Sequence, residues 1–288
     1  NIGPRPIDQH IKGFKALGAH VEEKENTVHI TTGPEGLHGA RIFFDLVSVG
    51  ATINVLLAAV KAKGLTIMEN VAREPEIVDL ATFLNNMGAH IRGAGTNEIR
   101  IQGVDSLKSM NVHTIIPDRI EAGTYLSFAA ANGNGVLVKN VITEHLDPFL
   151  SKLEEMGVRM EIDEDEIYVP GGDVLSPVNI KTSPFPGFAT DLQQPITPLL
   201  MQARGSSTII DTLYPERTKH IPEMQRMGAK ISSKDGIITV GHSTDLSGTV
   251  VEAGEIRAGV SLVGLALMAK GTTVINKADN ILRGYDGS

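Results

Sequence analysis

The sequence of 288 residues contains no cysteine and no tryptophan, and only 4% of its residues are aromatic. Without cysteine, these residues form neither a disulfide nor a thiolate metal site, which is typical of proteins in a reducing compartment. The core must be built from leucine, isoleucine, valine, methionine and alanine. The hydrophobic share of 41% is ordinary for a globular protein, so we expect a packed, soluble one.

Signals for a membrane, a nucleic acid or a metal are also missing. No apolar run approaches the roughly 20 residues that span a bilayer, and the first residues do not resemble a signal peptide. The net charge is −8 and no basic run is present, which argues against a nucleic-acid partner. The nine histidines show no metal-binding spacing. We therefore expect no metal, no cofactor, no membrane partner and a cytoplasmic location.

What the sequence does contain is one pattern repeated four times. The first half of each copy is an amphipathic helix, which ends in glycine, followed by two strands. The second half is a strand, a helix of small apolar residues and another strand. The first halves begin at Pro4, Arg73, Thr143 and Pro215. The second halves begin at Ser48, Asp118, Asp191 and Glu255. A fixed period of this kind indicates a repeat architecture.

The repeats also predict how the chain divides. A short linker near Asn111 to Pro117 precedes the small-residue helix at Asp118. We therefore predict a first domain over residues 1–115, with two repeat units, and a second domain over residues 117–288, incomplete at its C-terminal repeat. Residues 283–288 open a fifth copy that lacks its helix, so we expect the chain to be a piece of a longer one.

The two helices of each copy differ in character. In the first helix, apolar residues recur at helical spacing and the final glycines suit the left-handed residue that often ends a helix. These glycines are Gly18, Gly88, Gly157 and Gly228. The second helices, at residues 51–62 and 258–269, are almost wholly apolar, which predicts burial on all sides. Each copy should place one helix inside and one outside, and the alternative is ordinary α+β layering.

Several short segments predict the strands. Residues of alternating character indicate strands with one buried face at Thr27–Ile30, Glu98–Ile101 and Glu166–Val169. The sequence Lys-Asp-Gly at 234–236 is typical of a hairpin turn. With these strands we expect a sheet around the inner helices.

Charged and polar residues stand at corresponding places of the repeat, directly before a helix. Those before the outer helices are Arg5, Arg73, Arg217 and Arg283. Those before the inner helices are Ser48, Asp118 with Arg119, Asp191 and Arg257. Rotation of the copies about an axis would gather these positions at one end of each domain, where helix N-termini and arginines attract phosphate or carboxylate. The alternative is that each arginine makes only local contacts.

Asp191 is a lone carboxylate within this predicted ring of arginines. A carboxylate in such a place can act as a general base on a bound hydroxyl. The alternative is a helix N-cap, a position that aspartate fills well. Ser48 and Asp118 invite the same alternative.

Several specific segments of the sequence resemble those of a known protein family. They are IGPRPIDQHIKGF from Ile2, VSVGATINVLLAA from Val47, TDLQQP from Thr190, IRAGVSLVGLAL from Ile256 and LRGYD from Leu282. Together they resemble the UDP-N-acetylglucosamine 1-carboxyvinyltransferases, a family of enolpyruvyl transferases, and the resemblance covers essentially the whole chain. It implies an α+β fold, a two-domain inside-out α/β barrel of repeated βαβαββ units with buried inner helices.

The resemblance also implies an activity. The family moves the enolpyruvyl group of phosphoenolpyruvate onto the 3-hydroxyl of UDP-N-acetylglucosamine and releases phosphate through a tetrahedral intermediate. This is the first committed step of peptidoglycan synthesis. The implied partners are therefore these two small-molecule substrates.

Residue roles are implied by the same resemblance. The segment that matches the UDP-sugar site consists of Arg5, Pro6, Ile7, Asp8 and Gln9, with Arg5 also near the phosphate of phosphoenolpyruvate. A second uridine-diphosphate contact matches Leu46, Val47, Ser48 and Val49, although the family often has lysine at position 46. Leu213 matches a sugar-nucleotide contact. Asp191 matches the residue that takes the hydroxyl proton. The residues that bind phosphoenolpyruvate match Arg217, Arg257 and Arg283.

One part of the family's chemistry falls outside these residues. Its proton donor is a cysteine, or an aspartate in some members, on a loop directly before the segment that starts at Asn1. We therefore expect an active enolpyruvyl transferase whose remaining parts lie outside the 288 residues. The alternatives are an inert or sugar-nucleotide-binding fragment and the shikimate-directed enolpyruvyl transferase of the same fold.

Overall fold

The computed structural model describes residues 5–109 and 112–285. Asn111 of the predicted linker and residues 286–288 of the predicted fifth copy lie outside these ranges. Contacts between Cα atoms divide the chain into two units, Asn1–Ile116 and Pro117–Ser288. Within the described ranges, no helix combines the length and the apolar character needed to cross a membrane.

The first unit contains three helices among its described residues, which are α1 (Asp8–Ala16), α2 (Val49–Ala59) and α3 (Pro75–Asn86). Its strands are β1 (His20–Lys24), β2 (Thr27–Thr31), β3 (Arg41–Phe43), β4 (Leu65–Glu69), β5 (His90–Arg92) and β6 (Glu98–Gln102). Strands β1 and β2 form a hairpin, and the other four form a sheet of order β3-β4-β6-β5. Helix α2 packs against α1, α3 and β6 and contributes Val55 and Leu56 to the core.

The second unit follows the same scheme. Its helices are α4 (Arg119–Asn132), α5 (Asp147–Met156), α6 (Thr197–Leu200), α7 (His220–Arg226), α8 (Ile256–Met268) and α9 (Asp279–Leu282), with 3₁₀ helices at Thr143–His145 and Thr190–Leu192. Its strands are β7 (Val136–Lys139), β8 (Glu161–Ile162), β9 (Glu166–Val169), β10 (Asn179–Lys181), β11 (Ser207–Ile210), β12 (Ile231–Lys234), β13 (Ile237–Val240), β14 (Val250–Glu252) and β15 (Val274–Asn276). The sheets have the orders β7-β9-β8, β10-β11-β13-β12 and β14-β15.

Helices α4, α6 and α8 pack against one another in the core of the second unit. Helices α4 and α8 approach closely because α8 has glycine at 264, where a Cβ would lie 2.4 Å from Cε1 of Phe128. The amphipathic helices α5 and α7 bury one face each, including Leu153 and Met224. The predicted division into inner apolar helices and outer amphipathic helices is thus confirmed in this unit.

The local signals of the sequence are also confirmed. The glycines that end the four outer helices have positive φ angles of 92°, 102°, 93° and 92°. Residues 235 and 236 form the two-residue turn between β12 and β13, where Lys234 pairs with Ile237. Strands β6 and β9 alternate between buried and exposed residues. These features depend on the backbone preferences of a few neighbouring residues.

Two expectations about burial are wrong in the first unit. All residues of β2, which includes Thr27–Ile30, are exposed. Among the described residues, β1 and β2 pair only with each other, so this hairpin lies outside the four-stranded sheet of the unit. Helix α2 is not buried on all sides, since Leu57 is 46% exposed. The described neighbours α1, α3 and β6 cover only part of its circumference. Helix α8 in the second unit likewise leaves Leu267 exposed near its end.

The N-cap of α4 yields a stability prediction. The Asp118 carboxylate accepts hydrogen bonds from the backbone N–H groups of Ile120 at 2.8 Å and Glu121 at 3.1 Å. We expect Asp118→Ala to lower the free energy of unfolding by about 1 kcal/mol, because both donors lose their partner. Asp118→Asn keeps an acceptor oxygen and should lose much less. Urea unfolding of the three proteins measures this, and equal losses in both variants would contradict the capping role.

Candidate functional site

In the first unit, the structure brings together the two segments that the resemblance assigns to the sugar nucleotide. Gln9, in the first turn of α1, accepts a hydrogen bond from the backbone N–H of Asp45 at 2.8 Å and donates to its carboxylate at 3.2 Å. Asp45 directly precedes Leu46 of the second segment. The beginnings of α1 and α2 therefore lie beside each other, and helix beginnings favour bound anions.

The members of these two segments differ in exposure. Arg5, Pro6, Ile7 and Asp8 are exposed, whereas Gln9 is buried. Leu46 and Val49 are exposed, and Val47 and Ser48 are half-buried. The Oγ of Ser48 accepts from the backbone N–H of Ala51 at 3.1 Å, so Ser48 is the N-cap of α2. The N-cap interpretation therefore holds for Ser48 and for Asp118.

Asp45 is a residue of this region that sequence reasoning missed. Hydrogen bonds from Lys12 and then from Gln9 lower the pKa of its carboxyl group. The Lys12 ammonium lies 2.9 Å from both carboxylate oxygens. The only signal in the sequence was its position next to Leu46. No spacing pattern predicts that a residue 36 positions from Gln9 is its partner.

In the second unit, charged side chains from separate elements meet at Asp191. One carboxylate oxygen lies 2.8 Å from Nη1 of Arg217, in the loop between β11 and α7. The other lies 3.7 Å from Nη2 of Arg257, in the first turn of α8. The side chains of Arg217 and Arg257 are only 12% and 16% exposed, while that of Asp191 is 40% exposed. The structure therefore brings these three predicted residues together.

The N-cap interpretation is wrong for Asp191. The chain forms a 3₁₀ helix at Thr190–Leu192, whose N-cap position is Ala189 and which has no side-chain cap. The regular inner helix is reduced here to the short α6, which begins only at Thr197. The carboxylate is therefore bound by arginine side chains and does not cap the backbone.

The charges around Asp191 determine its protonation. Burial acts to raise its pKa, but Arg217, Arg257 and Arg119 together lower it below its ordinary value. Asp191 is therefore ionised at neutral pH. Glu255 adds a second carboxylate, with Oε1 at 3.8 Å from Nε of Arg217. The site combines a carboxylate that can accept a proton with guanidinium groups that can bind an anion.

The other predicted arginines have different surroundings. The guanidinium of Arg119 lies over the ring of Phe185 at 5.7 Å. Arg283 donates to the side chain of Asn280 at 3.1 Å, and Arg73 donates to the backbone oxygen of Gly95 at 3.2 Å. Arg73 thus makes a local contact within its own repeat copy, and Arg283 makes one with a residue three positions earlier.

Arg257 has a further partner that sequence reasoning missed. Its Nη1 donates to the hydroxyl of Tyr285 at 2.9 Å, and this hydroxyl lies 3.0 Å from Oγ1 of Thr124 on α4. Burial is the main cause that raises the pKa of the Tyr285 phenol, so it remains a neutral partner. The available signal was the position of Tyr285 within LRGYD. Tyr285 thus links α8 to α4 beside the charged cluster.

Leu213 is half-buried in the loop that leads from β11 to Arg217. Its backbone N–H donates to the carboxylate of Asp211 at 3.0 Å. Asp211, which is itself buried, is another residue that no motif in the sequence singled out. The predicted sugar-nucleotide contact and the predicted anion contact therefore share one loop.

A buried histidine lies beside the same loop. Nδ1 of His220 lies 3.1 Å from the side-chain nitrogen of Gln194. Burial, and secondarily the charge of Arg217, lower the pKa of His220 to about 3. His220 is therefore neutral at physiological pH and adds no positive charge to the arginine cluster.

This histidine makes the stability of the protein depend on pH. The unfolded chain takes up a proton near pH 6.5, whereas folded His220 does so only near pH 3. The free energy of unfolding should therefore fall as the pH falls from about 6.5 towards 4, by up to about 1.4 kcal/mol per pH unit from this group. His220→Gln removes this contribution. The free energy of unfolding of the wild type should therefore fall relative to that of the variant as the pH is lowered across that window. Urea unfolding at several pH values measures it, and a constant difference would contradict the assignment.

Comparison with known proteins agrees with this architecture. A family model described as EPSP synthase (3-phosphoshikimate 1-carboxyvinyltransferase) matches residues 1–287. The enolpyruvyl transferase NikO from Streptomyces tendae superposes with a TM-score of 0.89 at 24% identity, over 98% of this chain and 69% of that one. EPSP synthase from Acinetobacter baumannii gives a TM-score of 0.70 at 20% identity, over 98% and 68% of the two chains. The predicted enolpyruvyl transferase fold is thus confirmed.

Curated relatives are closer in sequence. UDP-N-acetylglucosamine 1-carboxyvinyltransferase 2 of Lactiplantibacillus plantarum is 65% identical over 286 residues, 99% of this chain and 67% of that protein. UDP-N-acetylglucosamine 1-carboxyvinyltransferase of Lactobacillus johnsonii is 60% identical over 288 residues, 99% of this chain and 68% of that protein. The chain thus spans about two thirds of the length of these relatives. It belongs to the EPSP synthase family of enolpyruvyl transferases, and within that family to the UDP-N-acetylglucosamine 1-carboxyvinyltransferases.

Proposed function

We propose that the chain acts in the transfer of the enolpyruvyl group of phosphoenolpyruvate to the 3-hydroxyl of UDP-N-acetylglucosamine, with release of phosphate. The observation that carries the proposal is the ionised carboxylate of Asp191, held 2.8 Å from Arg217 and 3.7 Å from Arg257. The addition of a hydroxyl group to an anionic molecule such as phosphoenolpyruvate requires a base for the hydroxyl proton and cationic groups for the anion. The names of relatives at 65% and 60% identity support the choice of sugar nucleotide.

The reaction has two steps. In the first, the hydroxyl oxygen of the sugar bonds to C2 of phosphoenolpyruvate, the hydroxyl proton passes to Asp191, and a proton is added at C3. In the second, the bond between C2 and the phosphate oxygen breaks and C3 loses a proton, which restores the double bond. None of the described residues is assigned as the proton donor to C3.

Binding of the anion changes the basicity of Asp191. Arg217 and Arg257 oppose the effect of burial and hold the pKa of Asp191 low, which makes it a weak base. A phosphate or carboxylate that shares these guanidinium groups partly neutralises them, so the pKa of Asp191 rises. Asp191 therefore becomes a better proton acceptor when phosphoenolpyruvate is bound. This order suits catalysis, because the base is strengthened only after the molecule that the sugar hydroxyl attacks is bound.

The remaining roles follow the resemblance. Arg217, Arg257 and Arg283 bind phosphoenolpyruvate and its charged intermediate, and Arg5 contributes near the phosphate. Arg119 adds positive potential at Asp191. Bidentate guanidinium contacts suit both the phosphate and the carboxylate of this substrate.

The sugar nucleotide is assigned to the two segments of the first unit and to Leu213. The adjoining beginnings of α1 and α2 support a diphosphate contact, because their N–H groups favour anions. The contributing residues are Arg5, Pro6, Ile7, Asp8, Gln9, Leu46, Val47, Ser48 and Val49. Since Leu46 carries no charge, the contact at this position is made without an ion pair.

The wider biological role is part of the same proposal. Both substrates are small molecules, and the product serves peptidoglycan synthesis, on which cell shape and cell division depend. A cytoplasmic location suits the cysteine-free sequence. No nucleic acid or membrane takes part in the reaction.

Phosphate release tests the choice of acceptor. The protein at its full natural length should release phosphate from phosphoenolpyruvate when UDP-N-acetylglucosamine is added and should not do so with shikimate 3-phosphate. Release with shikimate 3-phosphate instead would favour the acceptor named in the family description. Binding of UDP-N-acetylglucosamine without any phosphate release would favour a binding module.

Substitution of the proposed base gives a sharper prediction. Asp191→Asn keeps the shape of the side chain but cannot accept the hydroxyl proton, so kcat should fall by roughly a hundredfold to ten-thousandfold. Asp105→Asn, which changes an exposed carboxylate of the first unit, serves as the matched control and should keep wild-type turnover. Steady-state phosphate release measures both variants. An Asp191→Asn variant with wild-type kcat would exclude Asp191 as the base.

A further inference from the structure

Asp211 lies at the end of β11, buried beneath the loop that carries Arg217. One carboxylate oxygen, Oδ1, accepts from Oγ1 of Thr182 at 2.8 Å and from the backbone N–H groups of Leu213 at 3.0 Å and Tyr214 at 2.9 Å. The other oxygen, Oδ2, accepts from Oγ1 of Thr190 at 2.6 Å. The two oxygens therefore have different partners, since Oδ1 binds the loop and Thr182, and Oδ2 binds Thr190.

The contact to Oδ2 determines which hydrogen bond the Thr190 hydroxyl donates and which it accepts. A hydroxyl group has a single proton to donate, and the guanidinium of Arg217 can only donate, so the Thr190 proton is available for Asp211. Thr190 therefore donates to Asp211, and its lone pairs are left for Nη1 of Arg217 at 3.0 Å. The same Nη1 lies 2.8 Å from Asp191, the residue next to Thr190. A chain of hydrogen bonds thus runs from Arg217 through Thr190 to Asp211.

We propose that Asp211 and Thr190 are positioning residues that hold the guanidinium of Arg217 against Asp191. The inference rests on the proposed function for its catalytic consequence, but the geometry that it describes is independent of the substrate. Arg217 lies in a loop outside helix and strand, and its backbone oxygen is bound by the side chain of Gln193 at 3.1 Å. Gln193 holds the backbone of Arg217, and Thr190 holds the guanidinium.

The Thr190 contact matters most when substrate arrives. An anion that competes for Arg217 weakens its ion pair with Asp191. Without Thr190, the guanidinium would depend on its ion pairs with Asp191 and Glu255, which the anion weakens. The bond to Thr190 is neutral and persists. Arg217 would stay within reach of both the bound anion and the base. Fixed donors of this kind lower the reorganisation that the reaction needs.

Asp211→Asn distinguishes between the two oxygens of the carboxylate. Its amide oxygen can take the place of Oδ1 and keep the two backbone donors of the loop and the Thr182 hydroxyl, which places the NH₂ group opposite Thr190. The amide then donates to Thr190, so the hydroxyl proton must turn towards Arg217, which is itself a donor. Thr190→Val removes the hydroxyl altogether, and Thr190→Ser keeps it. The pair of Thr190 variants carries the test if Asp211→Asn does not fold.

The first readout needs no turnover. The carboxyl carbon of Asp191 in ¹³C-labelled protein, assigned by its loss in Asp191→Asn, reports the pKa of this group by NMR. We expect that pKa to rise by about one unit in Asp211→Asn and in Thr190→Val, because Arg217 moves away, and to stay near its wild-type value in Thr190→Ser. A loosened structure without an effect on Arg217 would not produce this pattern.

The second readout is kinetic, in the protein at its full natural length. The KM for phosphoenolpyruvate should rise about tenfold in Asp211→Asn and Thr190→Val, while the KM for UDP-N-acetylglucosamine changes little. The double variant should be no worse than either single variant, since both act through one bond. Unchanged values for both the pKa and the KM, additive effects, or a Thr190→Ser variant as impaired as Thr190→Val would overturn the inference. If the wild-type protein shows no turnover but Asp211→Asn and Thr190→Val show the expected rise in the pKa of Asp191, the proposed function is refuted and the positioning role stands.

Discussion

The charged site of the second unit depends on the ion pairs between Asp191 and its two arginines. Arg217 and Arg257 are largely removed from water, and a guanidinium in such a place needs an anion beside it. The carboxylate of Asp191 meets this need, and the two positive charges in turn keep it ionised although burial favours the neutral form. Three separate elements of the unit are therefore tied to one another by charge. An anion that binds here must therefore compete with Asp191 for Arg217 and Arg257.

The same position of the repeat serves two purposes in this fold. Ser48 and Asp118 begin regular helices and bind the free N–H groups of their first turns. Asp191 stands at the matching place, but the chain there forms only a 3₁₀ turn, and its carboxylate is left to the arginines. A regular helix start would have engaged that carboxylate in capping. The loss of helical regularity in this copy thus leaves the carboxylate of Asp191 free of capping bonds.

Hydrogen bonds of Asp211 and Tyr285 hold the residues around the charged site. The carboxylate of Asp211 accepts hydrogen bonds from Thr182 after β10, from the start of the loop after β11 and from Thr190. Because Asp211 is buried, the loss of any of these hydrogen bonds would leave a polar group without a partner in the interior, which is costly. Tyr285 likewise holds Arg257, because its hydroxyl accepts from Arg257 and also contacts Thr124 on α4. The guanidinium groups are therefore placed by neutral or buried partners as well as by Asp191.

The sequence by itself determined the repeat, the helix ends at glycine, the turn at 235–236 and the division into apolar and amphipathic helices of the second unit, and it pointed to the enolpyruvyl transferases through short motifs. These features rest on the preferences of neighbouring residues, which a sequence displays directly. Only the tertiary structure decided that β2 is exposed, that Asp191 is bound by arginines, and that Arg73 and Arg283 make local contacts. It alone revealed Asp211, whose partners come from three places in the chain. The physical reason is that burial and charge pairing depend on which distant residues fold against a side chain, and no local pattern carries that information.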